Sequence, residues 1–85
     1  MEFQKTKTGK FSFKQLNKKM QNKIDNINLS ENDLVKLDNS TSMYSLDSYI
    51  IIFKKENSKL LLIDILHKEL VKNVLNMINK QNEVN

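Results

Sequence analysis

Apolar residues recur at steps of three or four from Phe13 through Leu16, Met20 and Ile24 to Ile27. That spacing lines one side of an α-helix, with lysine, glutamine and asparagine on the other. Ser12-Phe13-Lys14-Gln15 reads as a capping box: the Ser12 hydroxyl accepts from the Gln15 amide, and the Gln15 side chain reaches back. Phe11 and Leu16 stand at the flanking staple positions, so the pattern predicts a helix over 13–27. The same grammar returns at Ser30-Glu31-Asn32-Asp33, with Leu29 and Leu34 as the staple and acids suited to the positive end of a helix dipole. It predicts a short helix over 30–37. Asp38-Asn39-Ser40-Thr41-Ser42 then breaks the helix, because these side chains compete for backbone hydrogen bonds. Residues 43–48 fit either a short third helix capped by Ser42 or an irregular loop.

The rhythm changes at Tyr49-Ile50-Ile51-Ile52-Phe53, a β-branched and aromatic run that favours a strand. A polar stretch, 54–59, separates it from the apolar run 60–65. Two such runs around a short polar segment predict a β-hairpin with strands at about 49–54 and 60–65. Both runs are apolar on both sides of the strand. Either helices cover both faces of the hairpin, or one face is a subunit interface in a homodimer. A last helix is expected over about 66–80, with Leu66, Leu70, Val74, Met77 and Ile78 on one stripe, followed by a frayed tail at 81–85. Residues 1–10 fit a flexible basic arm, or Phe3–Thr6 and Lys10–Phe13 pair around Gly9. The whole reads as one small α+β domain with two or three N-terminal helices, a hairpin and a C-terminal helix.

Eighty-five residues are one domain, and the chain contains no cysteine, which removes disulfides, thiolate nucleophiles and thiolate metal sites. No apolar run is long enough for a signal peptide or a membrane span, so a cytoplasmic protein without membrane contact is expected. The catalytic inventory is thin. His67 is the sole imidazole, and Asp64 three residues before it could orient it as a base or merely cap a strand–helix junction. There is no glycine-rich phosphate loop, and no metal-ligand or cofactor-binding pattern. The expectation is a binding protein and not an enzyme.

All 14 basic residues are lysine, which together with abundant asparagine and isoleucine matches coding from an AT-rich genome. The distribution says more than the net charge of +4. Residues 1–25 hold seven lysines against Glu2 and Asp25, whereas residues 26–50 hold Lys36 against Glu31, Asp33, Asp38 and Asp47. Lys14, Lys18 and Lys19 lie off the apolar stripe of the first predicted helix, with Lys5, Lys7 and Lys10 just before it. Such a face neutralises phosphate at long reach, or is simply solvated. Base reading leans on the bidentate fork of arginine, which is absent.

The predicted order of helix 13–27, helix 30–37, a short element at 42–48 and a hairpin with the polar tip 54–59 resembles a winged helix-turn-helix domain. The resemblance covers residues 13–80 at the level of architecture. It implies that a third helix enters the major groove while the hairpin tip touches phosphates. Thr41, Ser42, Tyr44 and Ser45 would then face the groove, and Lys54, Lys55, Asn57 and Lys59 would form the wing. The segment in the recognition position carries no lysine and includes Asp47, which shifts the implied contact toward the DNA backbone. Two functions follow. One is a dimeric accessory protein binding double-stranded DNA, of the kind that plasmids and phages encode. The other is a protein-binding inhibitor or adaptor that meets its partner through the apolar hairpin and the acidic middle segment.

Overall fold

The computed structural model describes residues 2–73. It is a single α+β unit in which short helices pack on one side and one edge of a five-stranded sheet. The elements are strand β1 (Gln4–Lys5), helix α1 (Lys7–Lys14), helix α2 (Lys18–Asp25), a 3-10 turn at Glu31–Asp33, and strands β2 (Val35–Lys36), β3 (Thr41–Leu46), β4 (Tyr49–Glu56) and β5 (Lys59–His67). The sheet order is β1-β5-β4-β3-β2. Strands β2 to β5 form an antiparallel meander, and β1 adds in parallel along β5, with Gln4 beside Leu61 and Lys5 beside Leu62.

The expected hairpin is present, longer than its apolar runs suggest. β4 and β5 continue through the polar positions to a two-residue turn at Asn57-Ser58, both in the left-handed region at φ 50° and 65°. Two left-handed residues give the turn whose twist matches the flanking strands. A bulge interrupts the ladder: Ile52 opposes Asp64 but Phe53 opposes Leu62, which leaves Ile63 as the extra residue. The bulge shifts the alternation along β5. Leu60 and Leu62 are buried before it and Ile65 after it.

The core lies on one side of the sheet. Ile51, Phe53, Leu60, Leu62 and Ile65 meet Ile24 of α2 and Leu29, and Phe13, Leu16, Met20 and Ile27 pack against them. Phe3 closes one end with its ring edge-on to Phe53 at 5.3 Å. The apolar stripe read from the sequence is therefore the core-facing set of residues, but the backbone carrying it is not one helix. Asn17 adopts an extended conformation (ψ 164°) and its side chain accepts from the Met20 amide, which starts α2 afresh. The Gln21 amide group donates to the carbonyls of Phe13 and Leu16, satisfying the end of α1.

Other helical expectations are corrected by local competition. Ser12 is not a cap: it lies inside α1, and its hydroxyl donates to Asp64 at 2.7 Å. The cap is Thr6, whose hydroxyl accepts from the Gly9 amide. Residues 1–10 accordingly contain β1 and the first turn of α1, and Gly9 sits in a helix, not in a turn. At Ser30 the Asp33 carboxylate does accept from the Ser30 amide and hydroxyl, at 2.9 and 3.0 Å. The helix it starts stops after one 3-10 turn, because Leu34 is extended (ψ 134°) and Val35–Lys36 pair with Met43 and Ser42. Residues 42–48 are neither helix nor loop. They form β3 and its turn, where pairing with β4 along six positions and with β2 on the other side outweighs the serines that suggested a break. β5 runs through Leu66 to His67, so helix begins later than expected, at 68. The rest of the expected C-terminal helix and the tail 81–85 lie outside the described residues. Among the described residues, no helix is long and apolar enough to cross a membrane.

Candidate nucleic-acid interface

α1 is positioned by a close seam against β5. The Thr6 amide and hydroxyl donate to the Leu62 carbonyl at 3.1 and 3.2 Å, and the Thr8 hydroxyl donates to the Ile63 carbonyl at 3.1 Å. Gly9 is buried against Leu62, and Ser12 reaches Asp64. With Gly9, Ser12 and Phe13 turned inward, 100° per residue places Lys7, Phe11 and Lys14 on the outward line of the helix, with Lys10 beside them. All four are exposed, and Phe11 stands 69% exposed. Thr8, Ser12 and Asp64 line the shallow groove next to this ridge. The one carboxylate there, Asp64, accepts from the Ser12 hydroxyl and from the Ile65 amide.

The ridge is electrostatically open. The three ion pairs among the described residues join Lys5 to Asp25 at 2.9 Å, Lys23 to Asp47 at 2.6 Å and Lys55 to Glu31 at 3.4 Å. Lys7, Lys10, Lys14 and Lys18 take part in none of them. Like charges spaced one turn apart on a solvated helix repel. An anion brought to the ridge relieves that repulsion.

The sequence-derived residues separate into those the fold gathers and those it scatters. Lys7, Lys10 and Lys14 come together on α1, and exposed Lys18 begins α2 four residues on. Lys5 does not join them. It shares the core-facing side of the sheet with Leu62, lies 4.3 Å from the centre of the Phe13 ring and pairs with Asp25, so it holds β1 to the helices. Thr41, Ser42, Tyr44 and Ser45 alternate along β3, and Tyr44 packs on the core, so the four share no groove-facing surface. The proposed wing divides as well. Lys54 faces the side of the sheet away from the helices with Leu61, Lys55 faces the helix side toward Glu31, and Asn57 and Lys59 sit at the turn. Lys59 precedes Leu62 by three residues, which puts the hairpin tip roughly 10 Å along β5 from the start of α1. The winged-helix order requires a helix where β3 stands, and nothing in the fold identifies a winged helix.

Phe11 is the residue that sequence reasoning missed. Framing the helix from Ser12 makes Phe11 a staple. Framing it from Thr6 makes Lys7, Phe11 and Lys14 an i, i+4, i+7 line, and Thr6 itself was the available signal. Asp64 and His67 are not a pair: Asp64 is held by Ser12, while His67 packs edge-on to Tyr49 at 5.2 Å and its Nδ1 accepts from the Glu69 amide. Among the described residues, no three His, Cys, Asp or Glu side chains cluster to hold a metal ion. Comparison with protein-family models, curated proteins and solved structures found no match.

Proposed function

We propose that this chain is a non-enzymatic nucleic-acid-binding accessory protein whose contact surface is the outward ridge of α1. The observation that carries the reading is the exposed Phe11 ring set among Lys7, Lys10 and Lys14, none of which is in an ion pair with a described residue. Lysine ammonium groups neutralise phosphates without reading sequence, and an aromatic ring offers its face to any unpaired base. A buried base stack in a duplex leaves no base for Phe11. The ridge therefore favours single strands, or the opened region of a duplex, over intact double-stranded DNA.

The test is fluorescence anisotropy with a labelled single strand and the matching duplex, at two salt concentrations roughly fourfold apart. Single-strand affinity should fall with salt, and replacing Lys7, Lys10 and Lys14 together by Gln should flatten the slope of log affinity against log salt by about 2. Phe11→Ala should cost about 1–3 kcal/mol on the single strand and little on the duplex. Absence of binding to either at low salt would remove the proposal.

A second reading, association with protein, is favoured by a separate observation. Met43, Ile50, Ile52, Leu61 and Leu66 lie on the side of the sheet opposite the core and, among the described residues, do not belong to it.

A further inference from the structure

Resting on the single-strand reading of the α1 ridge, we propose that the groove beside it seats an unpaired guanine. The groove is open and holds about 610 Å³, within the range of small-ligand sites. Phe11 and the exposed lysines of α1 form its rim, and half-buried Ser12 and Asp64 form its floor, with Thr8 one turn before Ser12. Proton placement decides what that floor recognises. A hydroxyl carries a single proton. Ser12 gives its proton to Asp64 Oδ1 at 2.7 Å, and Thr8 gives its own to the Ile63 carbonyl at 3.1 Å. Even if shared with the Thr6 hydroxyl 3.1 Å away, the Thr8 proton stays inside the α1–β5 seam. Asp64 Oδ1 accepts a second bond from the Ile65 amide at 2.8 Å, whereas Oδ2 accepts from none of the described residues.

The floor therefore offers acceptors alone: the lone pairs of Asp64 Oδ2 and those left on the Ser12 and Thr8 oxygens. The rim offers donors alone, because an ammonium has N–H groups and no lone pair. A ligand that suits both turns its donors inward and its acceptors and negative charge outward. Unpaired bases expose their Watson–Crick edges to such contacts. Guanine carries two adjacent donors there, N1–H and the 2-amino group, with the acceptor O6 beside them for a lysine. Cytosine and adenine each carry one amino group next to a ring nitrogen whose lone pair would face the carboxylate. Thymine and uracil carry one N–H between two carbonyl oxygens, which an acceptor-only floor repels. Lysine–phosphate contacts and the Phe11 stack attract any base, and the floor then sorts them. Asp64 is thus the specificity-determining residue of the ridge.

Anisotropy titration of the full chain tests this, with thymine strands of about 8 nucleotides that differ only at one central base. A central guanine should bind roughly tenfold more tightly than a central thymine. Inosine, which is guanine without the 2-amino group, should fall between the two. In Asp64→Asn the carbonyl oxygen keeps the bonds from Ser12 and Ile65, so the amide N–H2 takes the place of Oδ2. Donor then meets donor, and the guanine preference should disappear. The ratio between strands is the readout, because removing a negative charge beside the lysines strengthens every strand alike. Salt-sensitive binding that does not distinguish guanine from thymine overturns the guanine proposal and leaves the ridge reading standing. Inosine binding as tightly as guanine overturns it too, as does a preference that survives in folded Asp64→Asn. Should that variant fail to fold by circular dichroism, the guanine, inosine and thymine series on the native chain decides. Absence of binding to every strand at low salt removes the ridge reading along with it.

Discussion

A methyl group at Gly9 would run into the carbonyl oxygen of Leu62 and sit 2.9 Å from its carbonyl carbon. The obstacle is backbone, so rotamer changes cannot relieve it. α1 would have to lift off β5, and the hydrogen bonds from Thr6 and Thr8 to the Leu62 and Ile63 carbonyls would stretch with it. Gly9→Ala should therefore destabilise the fold by about 2–3 kcal/mol despite alanine's better helix propensity, as overpacking does elsewhere. Urea unfolding checks this; a change within 0.5 kcal/mol would mean that the seam is looser than described. Gly9 was legible as special because it is the only glycine, yet its sequence surroundings suggest a turn. What glycine supplies here is absence of volume, and a close approach 53 residues away in sequence leaves no local signature. Asp38 is the opposite case, a residue whose local chemistry was legible. Its carboxylate accepts from the Ser40 and Thr41 amides at 2.9 and 2.7 Å, and those bonds hold its pKa below the ordinary 3.8. A lowered folded-state pKa means that the contribution is fully present above 3.8 and is lost as pH falls through the folded value. Asp33, held down chiefly by the Ser30 amide, acts in the same direction. Stability measured from pH 5 to pH 2 should fall, and less steeply in Asp38→Asn, which keeps an acceptor oxygen and loses the titration.

The β4–β5 hairpin was legible because its evidence is local: β-branched and aromatic density on both sides of a polar turn. Its turn also makes a prediction. Asn57 and Ser58 both hold positive φ, a conformation that asparagine tolerates and serine adopts at a cost. Ser58→Gly should stabilise the fold by about 0.5–1 kcal/mol, raising the melting temperature by several degrees. A lower melting temperature would contradict the left-handed turn. The helices were legible as a stripe and not as elements. Phe13, Leu16, Met20, Ile24 and Ile27 face the core as their spacing requires, but spacing tolerates the extended residue Asn17 in the middle of the stripe. β2 and β3 were missed for a different reason. A capping box at Ser30 closes one turn whether or not a helix follows, and Thr41–Leu46 earns its strand from pairing with β4 along six positions. Pairing of that kind is a tertiary fact, and propensity is only a weak guide to it.

Charge and apolarity are segregated in the assembled molecule in a way the linear charge profile only half reveals. The basic first 25 residues do place Lys7, Lys10 and Lys14 on one ridge, whereas Lys5 and Lys23 are consumed by Asp25 and Asp47 in holding the fold together. The acids of the middle segment also engage neighbours, Glu31 with Lys55 and Asp33 with Ser30, while their side chains stay exposed.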